Sequence, residues 1–210
     1  TECAMPKVIA GCGGESDPTT RISCCAVLSA VSAHEPCRRP LCAMGTLEPL
    51  ISLARDRGAD DTTRLRCAVA FANLSHEPAV QGEMVKAGVV PVVAELSNSY
   101  CEENQLYCAR ALCNLGCHSG SEQAIVEQGG VTALMMICMV RAVSHFTKQI
   151  CAKAILNLVC APLVIKDWLP QLADEGLVQA VSVLSRLPEE QTMGVCASIF
   201  CTISAHGLVG

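Results

Sequence analysis

From residue 65 to residue 74, apolar side chains recur at Leu65, Ala68, Phe71, Ala72 and Leu74, the spacing that places one apolar stripe along a helix of about 3.6 residues per turn. The same pattern returns along the chain, marked by a Cys-Ala pair at Cys25-Ala26, Cys67-Ala68, Cys108-Ala109, Cys151-Ala152 and Cys196-Ala197. Intervals of 42, 41, 43 and 45 residues between these pairs make the chain a tandem repeat. Five residues after each Ala stands a second mark, Val31, Asn73, Asn114, Asn157 and Thr202, and each Asn is followed by Leu. The pattern predicts long helices over about 20–33, 62–75, 103–116, 146–160 and 190–204.

Gly45, Gly88, Gly129 and Gly176 each precede an apolar stretch, as in Ala87-Gly88-Val89-Val90-Pro91, where a glycine can end one helix before another begins. Ser99 with Glu102, and Ser119 with Glu122, have capping-box spacing; Asp61 is placed to cap the helix after it, and Pro78 and Pro188 suit a first helical turn. Each unit reads as helix, helix, longer helix.

Composition sharpens this picture. The chain is 51% hydrophobic but only 3% aromatic, so Leu, Val, Ile, Ala and Cys must build the core, a mixture suited to closely packed helices. The net charge is −5, with no Lys/Arg run, which argues against nucleic acid as a partner. The longest apolar run, Val131 to Val140, is too short for a bilayer crossing of about 20 residues, and the N-terminus has no signal pattern, so no membrane association is expected. Sixteen cysteines inside helical patterns suit a reducing, cytoplasmic setting better than a disulfide scaffold.

The repeat resembles the armadillo family, whose unit has a short first helix, a second opening with Gly-x-x-Pro and a third ending in Asn-Leu. Gly88 to Pro91 and Ala111 to Leu115 carry the match. The resemblance implies an all-α fold, a right-handed α–α superhelix of about five repeats. It implies a single solenoid over 1–210, with approximate repeats at 1–35 (partial), 36–75, 76–118, 119–161 and 162–206. Pro6 aligns with Pro91, so the first unit lacks its first helix. A solenoid needs polar terminal caps, and Thr1 stands directly before a second helix, so the chain reads as a fragment of a longer array. A HEAT-type array is the alternative, but its units lack the short extra helix and the terminal Asn.

In armadillo proteins the third helices line a concave groove, and the Asn near their ends hydrogen-bonds the main chain of an extended peptide. The matching residues are Asn73, Asn114 and Asn157. An amide side chain donates and accepts at once, so such a ladder holds peptide units whatever their side chains. Alongside, at helical spacing, stand Val69, Arg110 and Lys153, and one further turn earlier Arg66, Tyr107 and Ile150. Importin-like members carry Trp four residues before the Asn, and this sequence does not. Arg66, Arg110 and Lys153 instead form a basic strip on an acidic protein, resembling the catenin-like use of such grooves. The expected function is non-enzymatic: a protein–protein interaction module binding an extended, acidic partner segment in the concave groove. The alternative is a structural scaffold subunit of a large cytoskeletal or ciliary assembly. It would meet neighbouring subunits through its convex face and ends, which the run Met135-Met136-Ile137-Cys138-Met139 favours.

Other chemistry finds little support. Cys108, Cys113, Cys117 and His118, with Cys37 and Cys42 elsewhere, do not form the paired short clips of a zinc site. The Cys of each Cys-Ala pair occupies the family's small-residue position, where it acts as a compact hydrophobe. His34, His76, His118 and His206 recur at repeat ends rather than converging on a thiol. Gly11, Gly13 and Gly14, followed by Glu15-Ser16-Asp17-Pro18, read as a linker, not a phosphate cradle. No cofactor, metal or catalytic residue is expected.

Overall fold

The computed structural model describes residues 4–13 and 16–207, and all regular structure among them is helical. Thr1, and the Gly14-Glu15 portion of the expected linker, lie outside the described residues. Two helices come first, α1 (Met5–Gly11) and α2 (Pro18–Ser32), and the chain then runs in threes. The first triplet is α3 (Glu35–Ala43), α4 (Leu47–Ala54) and α5 (Asp61–Ser75); the second is α6 (Pro78–Lys86), α7 (Val89–Ser97) and α8 (Glu102–Leu115). The third is α9 (Glu122–Glu127), α10 (Gly130–Met139) and α11 (His145–Val159). In the last unit the first helix is split into α12 (Pro162–Asp167) and α13 (Leu169–Asp174), followed by α14 (Leu177–Leu184) and α15 (Glu190–Ala205).

The helix break in the last unit falls at Trp168, whose φ of −123° leaves the helical region. Pro170 offers no N–H to the preceding turn and restricts the residue before it, which is sufficient to interrupt a short helix.

Each third helix lies against the next, α2 on α5, α5 on α8, α8 on α11 and α11 on α15, while α4, α7, α10 and α14 make a second layer packed against them. The repeated cysteines explain how third helices approach so closely. Cys25, Cys67, Cys108 and Cys151 have no exposed surface and Cys196 has 1%. The Cys25 and Cys67 sulfurs meet at 3.6 Å across the α2–α5 contact. A thiol is small enough for that position and apolar enough to gain from burial. Around it Phe71, Leu74, Leu112, Leu115 and Ile155 are fully buried, each worth about 2 kcal/mol of transfer free energy.

The junction between first and second helices depends on glycine. Gly88 and Gly129 take φ of 81° and 83°, left-handed values that L side chains rarely adopt, and each reverses the chain immediately before a second helix. The capping expectations need correction. Asp60, not Asp61, caps α5, its Oδ1 accepting from Thr63 N at 2.7 Å. The Ser99 hydroxyl accepts from Cys101 N at 3.1 Å within the loop, and Cys101 holds the N-cap of α8. Ser121 rather than Ser119 holds the N-cap of α9, and Glu122 accepts from Gly120 N at 2.7 Å. Pro188 lies before Glu189, the N-cap of α15, whereas Pro78 does open α6. Short side chains in these loops bond the nearest backbone N–H, which displaces the box that spacing alone suggests.

Polar links join successive units. Glu102 Oε1 accepts from Ser144 N at 2.9 Å, Thr132 Oγ1 donates to Glu175 Oε2 at 3.1 Å, and Arg21 pairs with Asp56 at 2.5 Å. Among the described residues no helix is long and apolar enough to cross a membrane.

Candidate functional site

The nine residues singled out along the third helices all reach the surface. Arg66, Val69 and Asn73 on α5, Tyr107, Arg110 and Asn114 on α8, and Ile150 on α11 are partly exposed; Lys153 and Asn157 on α11 are more open to solvent. Between them the chain buries Cys67, Ala68 and Phe71, or Cys108, Ala109 and Leu112, so the exposed positions form one stripe per helix. Because α5, α8 and α11 pack side by side, the three stripes adjoin. The Arg110 guanidinium lies over the Tyr107 ring, 5.7 Å from its centroid, which holds that charge along the helix.

The amides are not free-standing. Asn73 Nδ2 donates to Ser32 Oγ at 3.1 Å and approaches Ser29 O at 3.4 Å. Asn114 Nδ2 donates to Ser75 Oγ at 3.0 Å and approaches Ala72 O at 3.4 Å. Asn157 Nδ2 reaches Cys117 Sγ at 3.4 Å, and Thr202 Oγ1 lies 3.4 Å from Cys160 Sγ. Each third helix thus ties its register-mark residue to the end of the third helix before it. The Oδ1 atoms of the three Asn accept no hydrogen bond from a described residue, and they remain as acceptors along the stripe. The partner positions Ser32, Ser75, Cys117 and Cys160 follow Val31, Asn73, Asn114 and Asn157 by one, two, three and three residues. That drifting offset hides them from a search for fixed spacing.

Charge is sorted by layer. Beyond their first turns, α5, α8 and α11 carry Arg64, Arg66, Arg110, Lys148 and Lys153 and no carboxylate, on a chain whose net charge is −5. Lys148 is buried, and Arg66, Arg110 and Lys153 are the members of this set on the stripe. Two residues missed by spacing join them. Arg38 donates from Nε to Ser32 O at 3.1 Å and from Nη2 to Ala33 O at 3.2 Å, so it stands at the end of α2 beside the Asn73 bond. His76 caps the end of α5, and its imidazole is held below the ordinary 6.5 by partial desolvation and then by the charges of Arg38 and Arg110.

The cysteine and histidine groups do not converge. Cys108 is sealed in the core, where burial pushes its thiol far up. Cys113 is pushed up to about 11, also chiefly by burial, and Cys117 is exposed. His118 Nδ1 pairs with Ser121 Oγ at 2.9 Å. Among the described residues no group of three or more His, Cys, Asp or Glu side chains is placed to hold a metal ion.

No protein-family model and no curated protein matches the chain. Solved structures do. A computationally designed armadillo repeat protein made for modular peptide recognition superposes with a TM-score of 0.81 at 18% identity, over 96% of this chain and 82% of that one. The armadillo repeats only protein from Plasmodium falciparum superposes with a TM-score of 0.74 at 12% identity, over 95% and 92%. A designed armadillo repeat protein in complex with the peptide (KR)4 does so at 0.65 and 16%, over 95% and 99%.

Proposed function

We propose, from the armadillo-repeat fold that this chain shares with those structures, that it is a non-enzymatic protein-interaction module whose third-helix face holds an extended, acidic partner segment. One observation carries the reading. The stripe formed by α5, α8 and α11 presents cations and unpaired amide oxygens without a carboxylate, although acidic residues outnumber basic ones in the chain, 20 to 15. Asn73, Asn114 and Asn157 would accept from partner N–H groups. Arg66, Arg110 and Lys153 would meet partner carboxylates, and Val69, Tyr107 and Ile150 would pack against the partner's backbone and stems. Designed relatives support peptide binding as the use of the fold, and one of them is seen with (KR)4. The cations here would repel such a ligand.

The same reading takes residues 1–210 as one solenoid of about five repeats and sets it in a reducing compartment such as the cytoplasm, which suits the free state of all the described cysteines. The test is binding of a Glu-rich extended peptide, measured at several salt concentrations for the wild type and for the Arg110→Glu, Lys153→Glu double variant. Affinity should fall with salt in the wild type, since open charges are screened over about 8 Å at physiological ionic strength, and should be largely lost in the variant. A flat salt response with an unaffected variant would sink the acidic-segment reading.

A further inference from the structure

The second-helix layer carries a surface of different chemistry. On α10, Met136 and Met139 are each 54% exposed, and Val140, at the helix end, is 37% exposed, while Ile137 and Cys138 between the two methionines, and Met135 before them, are buried. The other large exposed apolar residues, such as Val27, Tyr100, Phe146 and Leu163, are scattered singly over other helices and loops. Met136 stands between two shallow hollows of about 270 and 310 Å³. Thr132, one turn earlier, borders both and also a third of about 180 Å³ walled by Trp168.

The ionisable side chains lining these three hollows are Glu95, Glu127 and Glu175, all carboxylates. Glu175 is held in place by Thr132 Oγ1 at 3.1 Å and Gln171 Nε2 at 2.6 Å, while Glu95 is half-engaged with Arg55 at 3.5 Å. Arg141, the cation next in sequence to the methionines, lines none of the hollows. The sign of this face is therefore the reverse of the third-helix stripe.

We infer that this second-helix face is a docking site for a basic amphipathic helix of a partner protein. Apolar anchors one turn apart enter the hollows on either side of Met136, and flanking Lys or Arg side chains meet Glu95, Glu127 and Glu175. An unbranched thioether adapts its shape to such anchors, and a helix laid in an apolar groove is a recurring recognition mode. The acidic rim selects the sign of the partner and speeds its encounter. A partner on this face leaves the third-helix stripe clear, so the inference stands independently of the acidic-segment reading.

The probe is a synthetic helix of about 18 residues, five turns, with a Leu stripe at three- and four-residue spacing, Lys flanks and no Trp; its counterpart has Glu for Lys. Trp168 is the single tryptophan of the chain and lines the third hollow, which adjoins the other two at Thr132, so its emission reports a helix laid across this face. The Lys peptide should bind and shift that emission, and should do so roughly tenfold or more tightly than the Glu peptide. Met136→Ser with Met139→Ser removes only exposed side chains, should leave the melting curve in place, and should weaken binding roughly tenfold. Glu95→Gln with Glu175→Gln should weaken it and flatten its salt dependence, whereas Arg110→Glu with Lys153→Glu should change nothing. Absence of binding, equal binding of the two peptides, or indifference to the Met substitutions overturns the inference. So does a concentration-dependent dimer abolished by the same Met substitutions, which would assign the face to a second copy of the chain.

Discussion

Asn114 and Ser75 are joined across two adjacent third helices, Nδ2 to Oγ at 3.0 Å, and Ser75 in turn donates to Ala72 O at 2.8 Å. The amide expected to serve only a bound peptide therefore also holds one repeat to the next. Asn114→Ala is expected to lower unfolding stability by about 1 kcal/mol, the usual net value of such a bond. In a double-mutant cycle with Ser75→Ala, urea unfolding should show a coupling of about 0.5–1 kcal/mol; strictly additive losses would mean the contact contributes nothing.

Thiol accessibility should follow the repeat. Cys67, Cys108 and Cys151 lie between packed helices and should resist alkylation until the protein is denatured, while Cys101, Cys117 and Cys201 are exposed and should react at once. Peptide mapping after a brief native pulse distinguishes the two sets. Rapid native labelling of Cys108 would contradict its place in the core.

Two glycines of α10 and α15 should respond in opposite directions to the same change. A Cβ at Gly130 would stand 2.6 Å from Ile125 Cγ2 and 2.9 Å from Ile125 O, so Gly130→Ala is expected to cost roughly 1–3 kcal/mol. Gly194 lies inside α15 with nothing within 4 Å of its would-be Cβ, and Gly194→Ala should stabilise by about 0.5–1 kcal/mol. Thermal melts of both variants provide the comparison, and a shift of the same sign in both would refute the packing argument.

His76 ties the basic stripe to pH. Its folded-state value lies below the ordinary 6.5, so the unfolded chain binds this proton more tightly than the folded one. Stability from this group is complete above 6.5, declines as pH falls through that value and is fully lost below the folded-state value. An acidic segment bound near Arg38 and Arg110 should raise the imidazole value, so binding should take up a proton. NMR titration of His76 with and without the Glu-rich peptide measures both effects; an unmoved titration in the complex would place the ligand elsewhere.

The period and the long helices could be read from the sequence because a buried stripe at a fixed residue position leaves a mark at every turn. The five predicted long helices agree with α2, α5, α8, α11 and α15 to within two residues at each end. Helix starts were less legible, since whether Ser99 caps α8 or turns back to Cys101 is decided by loop geometry that no spacing records. The split of α12 from α13 has its local sign in Pro170, whereas the junctions before the second helices are marked by glycine. The Ser32, Ser75, Cys117 and Cys160 partners, and Arg38, belong to contacts between repeats. Their chain offsets vary because the partner is the last residue of α2 and of α5 but lies past the ends of α8 and α11.

The ladder is built from two kinds of rung. Its first two run from an amide to a hydroxyl, and its last two involve sulfur, a weaker hydrogen-bonding atom, at Cys117 and Cys160. A coil with unequal joints does not flex evenly. Under tension or on wrapping a ligand, opening is expected to concentrate between α8 and α11 and between α11 and α15, so curvature there adjusts while the first half keeps its pitch. Slow-exchanging amides at the ends of α2 and α5, set against faster exchange at the ends of α8 and α11, would be the mark of such a spring with one stiff and one compliant end.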